Sequence, residues 1–373
     1  MRILHVLNDI TDRGNGIVNT AVDIAIEQAR LGHTVAVVSA GGGHEPLLRK
    51  GGVEHFQLND VRRLSKIASS FAIFRRYVNE FKPDVVHAHM RAGLLLAWLL
   101  AKFQHYALVA HLQNVHDRES VLMGLAQRVF VVSKSVGDTM RGMGVPRKKI
   151  RVVLNRTLYS TRLPLLSDIR PARLRRPSIV TVCGMYHRKG IAELIYAFER
   201  IAPKFPEANL YLVGDGPHRP IFEAQANASA FRERIHFEGF QGSPQSYMLA
   251  ADVFVLASRR ESFGLVLIEA RQAGCSIVAS NVDGIPEALD GGRAGALVEP
   301  QNISALSEAL NRMLEHPEER FHWSERAKQG IEAFGVGVMV QEIMAVYQEL
   351  IAAPQILKTS STFQSSLDRS HDF

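Results

Sequence analysis

The chain has 373 residues, 46% hydrophobic and 22% charged, which suits a globular protein with room for two cores. Two cysteines, Cys183 and Cys275, in small or apolar surroundings argue against a disulfide scaffold or a thiolate zinc site, and the longest apolar stretch, residues 94–101, falls far short of the ~20 residues that span a bilayer. The formal net charge of +7 is uneven: residues 1–176 hold 27 Lys and Arg against 13 Asp and Glu, and the remainder is acidic.

In chain order, RILHVL reads as a strand, TDRGNG as a glycine turn, IVNTAVDIAIEQARLG as an amphipathic helix closed by Gly32, and HTVAVVSA as a second strand. No basic segment followed by a long apolar run marks the opening as a leader. Residues 61–82 are basic and amphipathic, which fits a helix packed on a sheet with a solvated basic face, or a membrane-surface helix. PDVVHAHM, ALVAHLQ and RVFVVS are short apolar strands, and Ser133 is placed to cap the helix after the last. IRVVL ends the first unit, and residues 160–177, with three prolines, read as a linker.

The alternation then restarts. SIVTVCG, ANLYLVGDG, RIHFEG, DVFVLAS, SIVAS and AGALVEP are strands with helices between most of them. Two doubly wound α/β units follow from this pattern. The expected bounds are 1–160, a linker at 161–176, 177–335, a C-terminal helix at 336–353 packing back on the first unit, and a polar, serine-rich tail at 354–373 that reads as disordered.

In open parallel sheets ligands bind beyond the carboxyl ends of the strands. Three strand-to-helix loops of the second half stand out. CGMYHRKG, 183–190, brings Arg188 and Lys189 to a helix mouth, where cations and backbone amides suit phosphate; an exposed basic turn has the same composition. VGDGPHRP, 213–220, offers Gly214 and Gly216 for close backbone approach, or is simply a turn. RRESFGLVLIEARQAG, 259–274, sets Glu261 before Gly264 at a helix mouth and Glu269 about 7–8 Å further along the axis. Carboxylates accept from adjacent sugar hydroxyls, so this spacing fits a molecule with a sugar at each end and a diphosphate between; otherwise Glu261 is solvated and Glu269 a surface or capping residue.

ESFGLVLIE, with VGDGP and FEGF before it and GALVEP after it, resembles the E-x7-E signature of retaining glycosyltransferases of family 4. The match is dense from about 179 to 300. It is looser in the first half, at GNG, LGHTVAVVSA, PDVVHAHM and VFVVS. The resemblance implies a GT-B fold, two Rossmann-like domains facing a central cleft. It implies that Glu261 contacts the transferred sugar, that Lys189 and Arg188 hold the leaving diphosphate, and that His111 lies near the reacting carbon. Gly184, Ser262, Phe263, Gly264, Leu265 and Val266 would surround sugar and phosphate, and Glu269 would hold the ribose. Gly214, Gly216 and Pro217, with Glu238, Gly239 and Phe240, would line the base. Gly14, Asn15, Gly16 and His89 would stand on the acceptor side.

Two departures from the family pattern are visible. Met185 stands where an Arg is common, in a loop one residue short, and NRTLYS retains only Asn155 of the usual Asn-Gly-Val-Asp. No Asp-x-Asp pair occurs, so cationic side chains and a helix dipole are expected to meet the leaving diphosphate without a metal. His87 and His89 alternate on one strand, with His111 and His116 on the next; strand histidines more often satisfy local hydrogen bonds than bind zinc, and no metal is expected.

The expected partners are a nucleoside-diphosphate sugar and a glycan or lipid-linked acceptor in bacterial surface polysaccharide assembly, with the basic half meeting an anionic cytoplasmic membrane face. Scattered basic residues without a nucleic-acid motif make nucleic acid the least favoured partner. The competing readings are a nucleotide-sugar 2-epimerase of the same architecture and a non-catalytic binding subunit. A dinucleotide dehydrogenase is disfavoured because Asn19 replaces the third glycine of its fingerprint.

Overall fold

The computed structural model describes residues 1–12, 14–58, 67–115 and 118–352. Two fully parallel sheets follow each other in the chain. The first holds β1 (Arg2–Val6), β2 (Thr34–Ser39), β3 (Glu54–Gln57), β4 (Val85–Ala88), β5 (Ala107–Leu112), β6 (Arg128–Val131) and β7 (Ile150–Val152), in the order 3-2-1-4-5-6-7. The second holds β8 (Ser178–Val182), β9 (Asn209–Val213), β10 (Ile235–Gly239), β11 (Val253–Leu256), β12 (Ile277–Ser280) and β13 (Ala296–Val298), in the order 10-9-8-11-12-13. Strands buried on both faces read as apolar runs, which is why β2 and β9 were plain in the sequence. Strand order reverses between β1 and β4 and between β8 and β11, so each sheet opens a crevice there beyond its carboxyl ends.

The helices of the first half are α1 (Gly16–Arg30), α2 (Glu45–Lys50), α3 (Ile67–Phe81), α4 (Arg91–Leu100) and α5 (Lys134–Gly142). Those of the second are α6 (Ile191–Ile201), α7 (Arg219–Asn227), α8 (Gln245–Ala250), α9 (Leu265–Gln272), α10 (Ile285–Ala288), α11 (Ile303–Glu315), α12 (Pro317–Lys328) and α13 (Val336–Ala352). Asn15 caps α1 by accepting from the N–H of Ile17 at 3.1 Å, and Ser133 caps α5 by accepting from Val136 at 3.2 Å.

One face of the first sheet, carrying Leu4, Val6, Val38 and Val86, packs on α3, α4 and α5. The other, carrying Ile3, Val35, Val37 and Val109, packs on α1 and α13. α3 buries Phe74, Val78 and Phe81 and turns Arg75 and Arg76 outward. That is the sheet-packing arrangement for 67–81; residues 61–66 of the basic stretch lie outside the described residues, as does His116.

The chain passes between the sheets twice. Leu158 donates its N–H to Phe334 at 3.2 Å and accepts from Val336 at 2.9 Å, tying the outgoing segment to the start of α13. From there α13 runs along α1, burying Met339, Val340, Ile343 and Tyr347 against the first sheet. The polar tail at 354–373 lies outside the described residues.

The halves also touch directly. The Glu287 carboxylate on α10 accepts from the N–H groups of Lys134 (2.8 Å) and Ser135 (3.4 Å) at the mouth of α5. Ser262 donates to Asn114 at 3.2 Å. Among the described residues no helix is long and apolar enough to cross a membrane.

Candidate functional site

A cleft of about 600 Å³ lies between the two sheets, at the ends the topology singles out. Its second-half wall is built from the three loops that stood out in the sequence. After β8, residues His187–Lys189 form a single 3-10 turn that delivers Arg188 and Lys189 to the cleft just before α6. The guanidinium of Arg188 lies over the Tyr186 ring, 5.4 Å from its centre. After β9, Gly214 lines the cleft with φ of +130°; a Cβ there would stand 2.0 Å from the Cys183 carbonyl oxygen, so only glycine lets the two loops close together.

After β11 comes the third loop. Gly264 precedes α9 with φ of +89°, a left-handed conformation, and no side chain caps the first amides of α9. Ser262, Phe263, Gly264, Leu265 and Val266 all line the cavity. Glu261 lies beside them, nearly buried, and its carboxylate is ion-paired with the Lys189 ammonium. Ser258 lies 3.5 Å from the same carboxylate oxygen. The backbone of Glu261 is pinned as well: its N–H donates to Asp283 at 3.0 Å and its carbonyl accepts from Gly284 at 3.0 Å.

Glu269 reaches the cleft from further along α9, where Gln245 donates to it at 3.2 Å. Burial pushes its carboxyl up to about 6, partly opposed by the nearby Arg162 guanidinium. The two carboxylates of the E-x7-E spacing therefore face one cavity from two positions along its wall, with Lys189, Arg188 and the α9 mouth lining the same cavity.

Across the cleft stand Gly14 and Gly16. The exposed Phe240 ring approaches Gly14 so closely that a Cβ would meet it at 3.2 Å. Gly184 lines the cavity too. Asn15 is absent from that lining and is occupied in capping α1. Gly216, Pro217, Glu238 and Gly239 are also absent from it. Gly216 is packed on the Met185 backbone, and Glu238 accepts from the Tyr247 hydroxyl at 2.7 Å instead of facing the cavity.

His111 and His89 do not belong to the cleft. β5 runs on to Leu112, so His111 sits within the strand, wholly buried, and its ring faces the core. His89 is 3% exposed and bonds His5 at 2.9 Å. The residues that reach the cleft from that region are Gln113 and Asn114, just past the end of β5. The strand-end rule applied to the last residues of ALVAHLQ, not to His111, finds them. Met185 is fully buried in the second core, so it supplies no polar group where an Arg was expected.

Asp12, Asn19, His44, Asn155 and Arg162 complete the first-half wall. Arg162 comes from the linker. It grips the fully buried carboxylate of Asp23 on α1 with two bonds, of 3.2 and 3.0 Å. Nothing in its local sequence marks it, because its partner lies far away in the chain.

Two cations, two carboxylates and a helix mouth thus line one cavity, and comparison with known proteins shows the family. Residues 14–155 match the family model described as Glycosyltransferase Family 4, and residues 167–330 match Glycosyl transferases group 1. The chain is 32% identical over 372 residues to a phosphatidyl-myo-inositol mannosyltransferase of Mycolicibacterium smegmatis, covering 95% of each sequence. The fold superposes on a Rickettsia africae glycosyltransferase with a TM-score of 0.80 at 20% identity, covering 94% of this chain and 98% of that one. It also superposes on an Anabaena protein solved with UDP-glucose, with a TM-score of 0.79 at 20% identity, covering 93% and 99%.

Proposed function

The chain is a glycosyltransferase of family 4 with the GT-B architecture, and on that premise we propose that it is a retaining enzyme taking its sugar from a nucleoside diphosphate. The acceptor in this reading is a glycan or lipid-linked glycan of bacterial surface polysaccharide assembly. The observation that carries the reading is the placement of Lys189, Arg188, the α9 mouth, Glu261 and Glu269 on one 600 Å³ cavity. A diphosphate at the α9 amides would hold the donor centrally, with Glu269 on the ribose and Glu261 on the transferred sugar.

The chemistry follows from charge. As the bond from the anomeric carbon to phosphate breaks, positive charge grows on the sugar ring and negative charge on the leaving diphosphate. Lys189, Arg188 and the α9 amides stabilise that negative charge, with no metal called on. In the ligand-free chain the Lys189 ammonium is shared with Glu261. A donor diphosphate competes for that ammonium, and the Glu261 carboxylate is then released to accept from sugar hydroxyls. Neither Glu261 nor Glu269 is assigned as a nucleophile, so attack comes from the same face as departure and the leaving phosphate takes the acceptor's proton.

A sugar-nucleotide donor is supported by the UDP-glucose in the Anabaena protein, and a lipid acceptor by the name of the M. smegmatis relative. The basic excess of residues 1–176 supports work at the inner face of the cytoplasmic membrane, docked peripherally on anionic lipid. The test is product analysis with a panel of nucleoside-diphosphate sugars, with and without lipid-linked and oligosaccharide acceptors. Acceptor-dependent transfer with the donor's anomeric configuration kept supports the proposal. An altered free sugar made without acceptor would identify an epimerase instead.

A further inference from the structure

Behind the first sheet, away from the cleft, three strands bring four histidines to one face. His5 on β1 pairs in register with His87 on β4. His89 follows on the same face, and His111 stands on β5 one residue past the Ala88–Ala110 pair. All four are at most 3% exposed. Only the pairing of β1 with β4 brings His5 in, and that pairing is invisible along the chain.

We propose that His5, His87 and His89 form a buried structural site for one imidazole-preferring d-block cation, zinc or copper(I). One ring nitrogen of each lies within 4.8 Å of the others. Two imidazole nitrogens on a tetrahedral ion at about 2.0–2.1 Å stand roughly 3.4 Å apart, so small ring rotations close the set. His5 Nδ1 and His89 Nε2 are already 2.9 Å apart.

The surroundings orient the rings as outer partners of metal ligands do. His5 Nε2 lies 2.8 Å from the Gln28 side-chain oxygen, so it carries the proton and leaves Nδ1 with its lone pair. The Tyr347 hydroxyl on α13 lies 2.6 Å from His87 Nδ1; with Nδ1 carrying the ring proton and donating to that oxygen, His87 Nε2 keeps its lone pair for the ion. His87 Nε2 and His89 Nδ1 are buried without a partner, an uncompensated cost in a closed core. A proton on His89 moves from Nε2 to that unpartnered Nδ1, so Nε2 binds the ion and no proton leaves the site.

Among the described residues no carboxylate or thiolate joins the group. Neutral nitrogen ligands suit both ions. The absence of an anion favours the singly charged one, because solvation cost grows with the square of the charge.

The test uses the full chain, without a polyhistidine tag. Elemental analysis of protein from metal-replete cells is expected to give near one equivalent of zinc or copper. Chain unfolded with chelator is then refolded with zinc, with copper(I) under reductant and without oxygen, or with chelator alone. The ion that fits is expected to raise the thermal midpoint by roughly 5 °C at about a hundredfold excess over Kd. His89→Asn is expected to lose the ion, and His111→Asn to keep it. Less than about a tenth of an equivalent, with identical midpoints in all three refolding arms, would overturn the proposal. So would an ion that His89→Asn retains. Should His89→Asn fail to fold, the wild-type refolding series decides alone.

Discussion

Lys189 and Glu261 meet as an ion pair in the interdomain cleft, each nearly closed to solvent, although 72 residues separate them in the chain. One comes from the turn after β8 and the other from the loop after β11, and strand order makes those two loops neighbours. In the proposed function the pair is a cation, there to meet the leaving diphosphate, held by an acid until donor arrives.

Lys189→Ala should lower turnover by roughly 10²–10³-fold, the usual loss when one preorganised group facing developing negative charge is removed. Far-ultraviolet circular dichroism should be unchanged. Near-normal turnover in the purified, folded variant would remove Lys189 from the mechanism.

Glu269 gives donor binding a pH dependence of known sign. Its carboxyl is pushed up to about 6 by burial, and in the proposed binding mode ribose hydroxyls donate to the ionised form. Donor affinity should be full above pH 6 and fall up to tenfold per unit below it. The folding term runs the other way: a carboxyl raised above its ordinary value favours the folded state at low pH, and that contribution is lost as pH rises through 6. Titrations by calorimetry between pH 5 and 8 check the first effect. Glu269→Gln should flatten the profile, and a profile that persists in this variant assigns the titration elsewhere.

Arg162 ties the linker to α1 through the buried Asp23. Arg162→Ala leaves that carboxylate unpaired and should cost about 3 kcal/mol of stability, read as a lower denaturation midpoint. Adding Asp23→Asn should recover part of the loss. Because Arg162 also opposes the rise of the Glu269 carboxyl, Arg162→Ala should move the acid limb of donor binding to higher pH.

Much of this was legible in the sequence. Apolar runs of parallel strands marked every strand but β3, whose EHFQ lies at the sheet edge and is partly exposed, and the loops after β8, β9 and β11 could be named because ligands gather beyond strand ends. Glu261, Lys189, Gly264 and Glu269 carried their own signal of charge and glycine at helix mouths. What stayed hidden depends on residues far apart in sequence. Arg162 has meaning only with Asp23, and His5 only beside His87. His111 was assigned by the resemblance alone; it lies inside β5, and the residues that leave the strand for the cleft are Gln113 and Asn114.

Gly264→Ala tests the α9 mouth. Its φ of +89° is strained for any side chain, and a Cβ would approach Leu267 at 3.1 Å. A cost of about 1–2 kcal/mol in stability and a larger loss in donor affinity are expected, because the first α9 amides are displaced. Thermal melts with and without donor separate the two effects.

The most direct measurement is calorimetric titration of the ligand-free chain with nucleoside-diphosphate sugars, repeated on Lys189→Ala and Glu269→Ala. At least one donor should bind the parent chain with micromolar Kd and weaken tenfold or more in Glu269→Ala, while the parent diphosphate nucleotide weakens in Lys189→Ala. A parent chain that binds none of these donors, or binds one with the same affinity in both variants, would contradict the account.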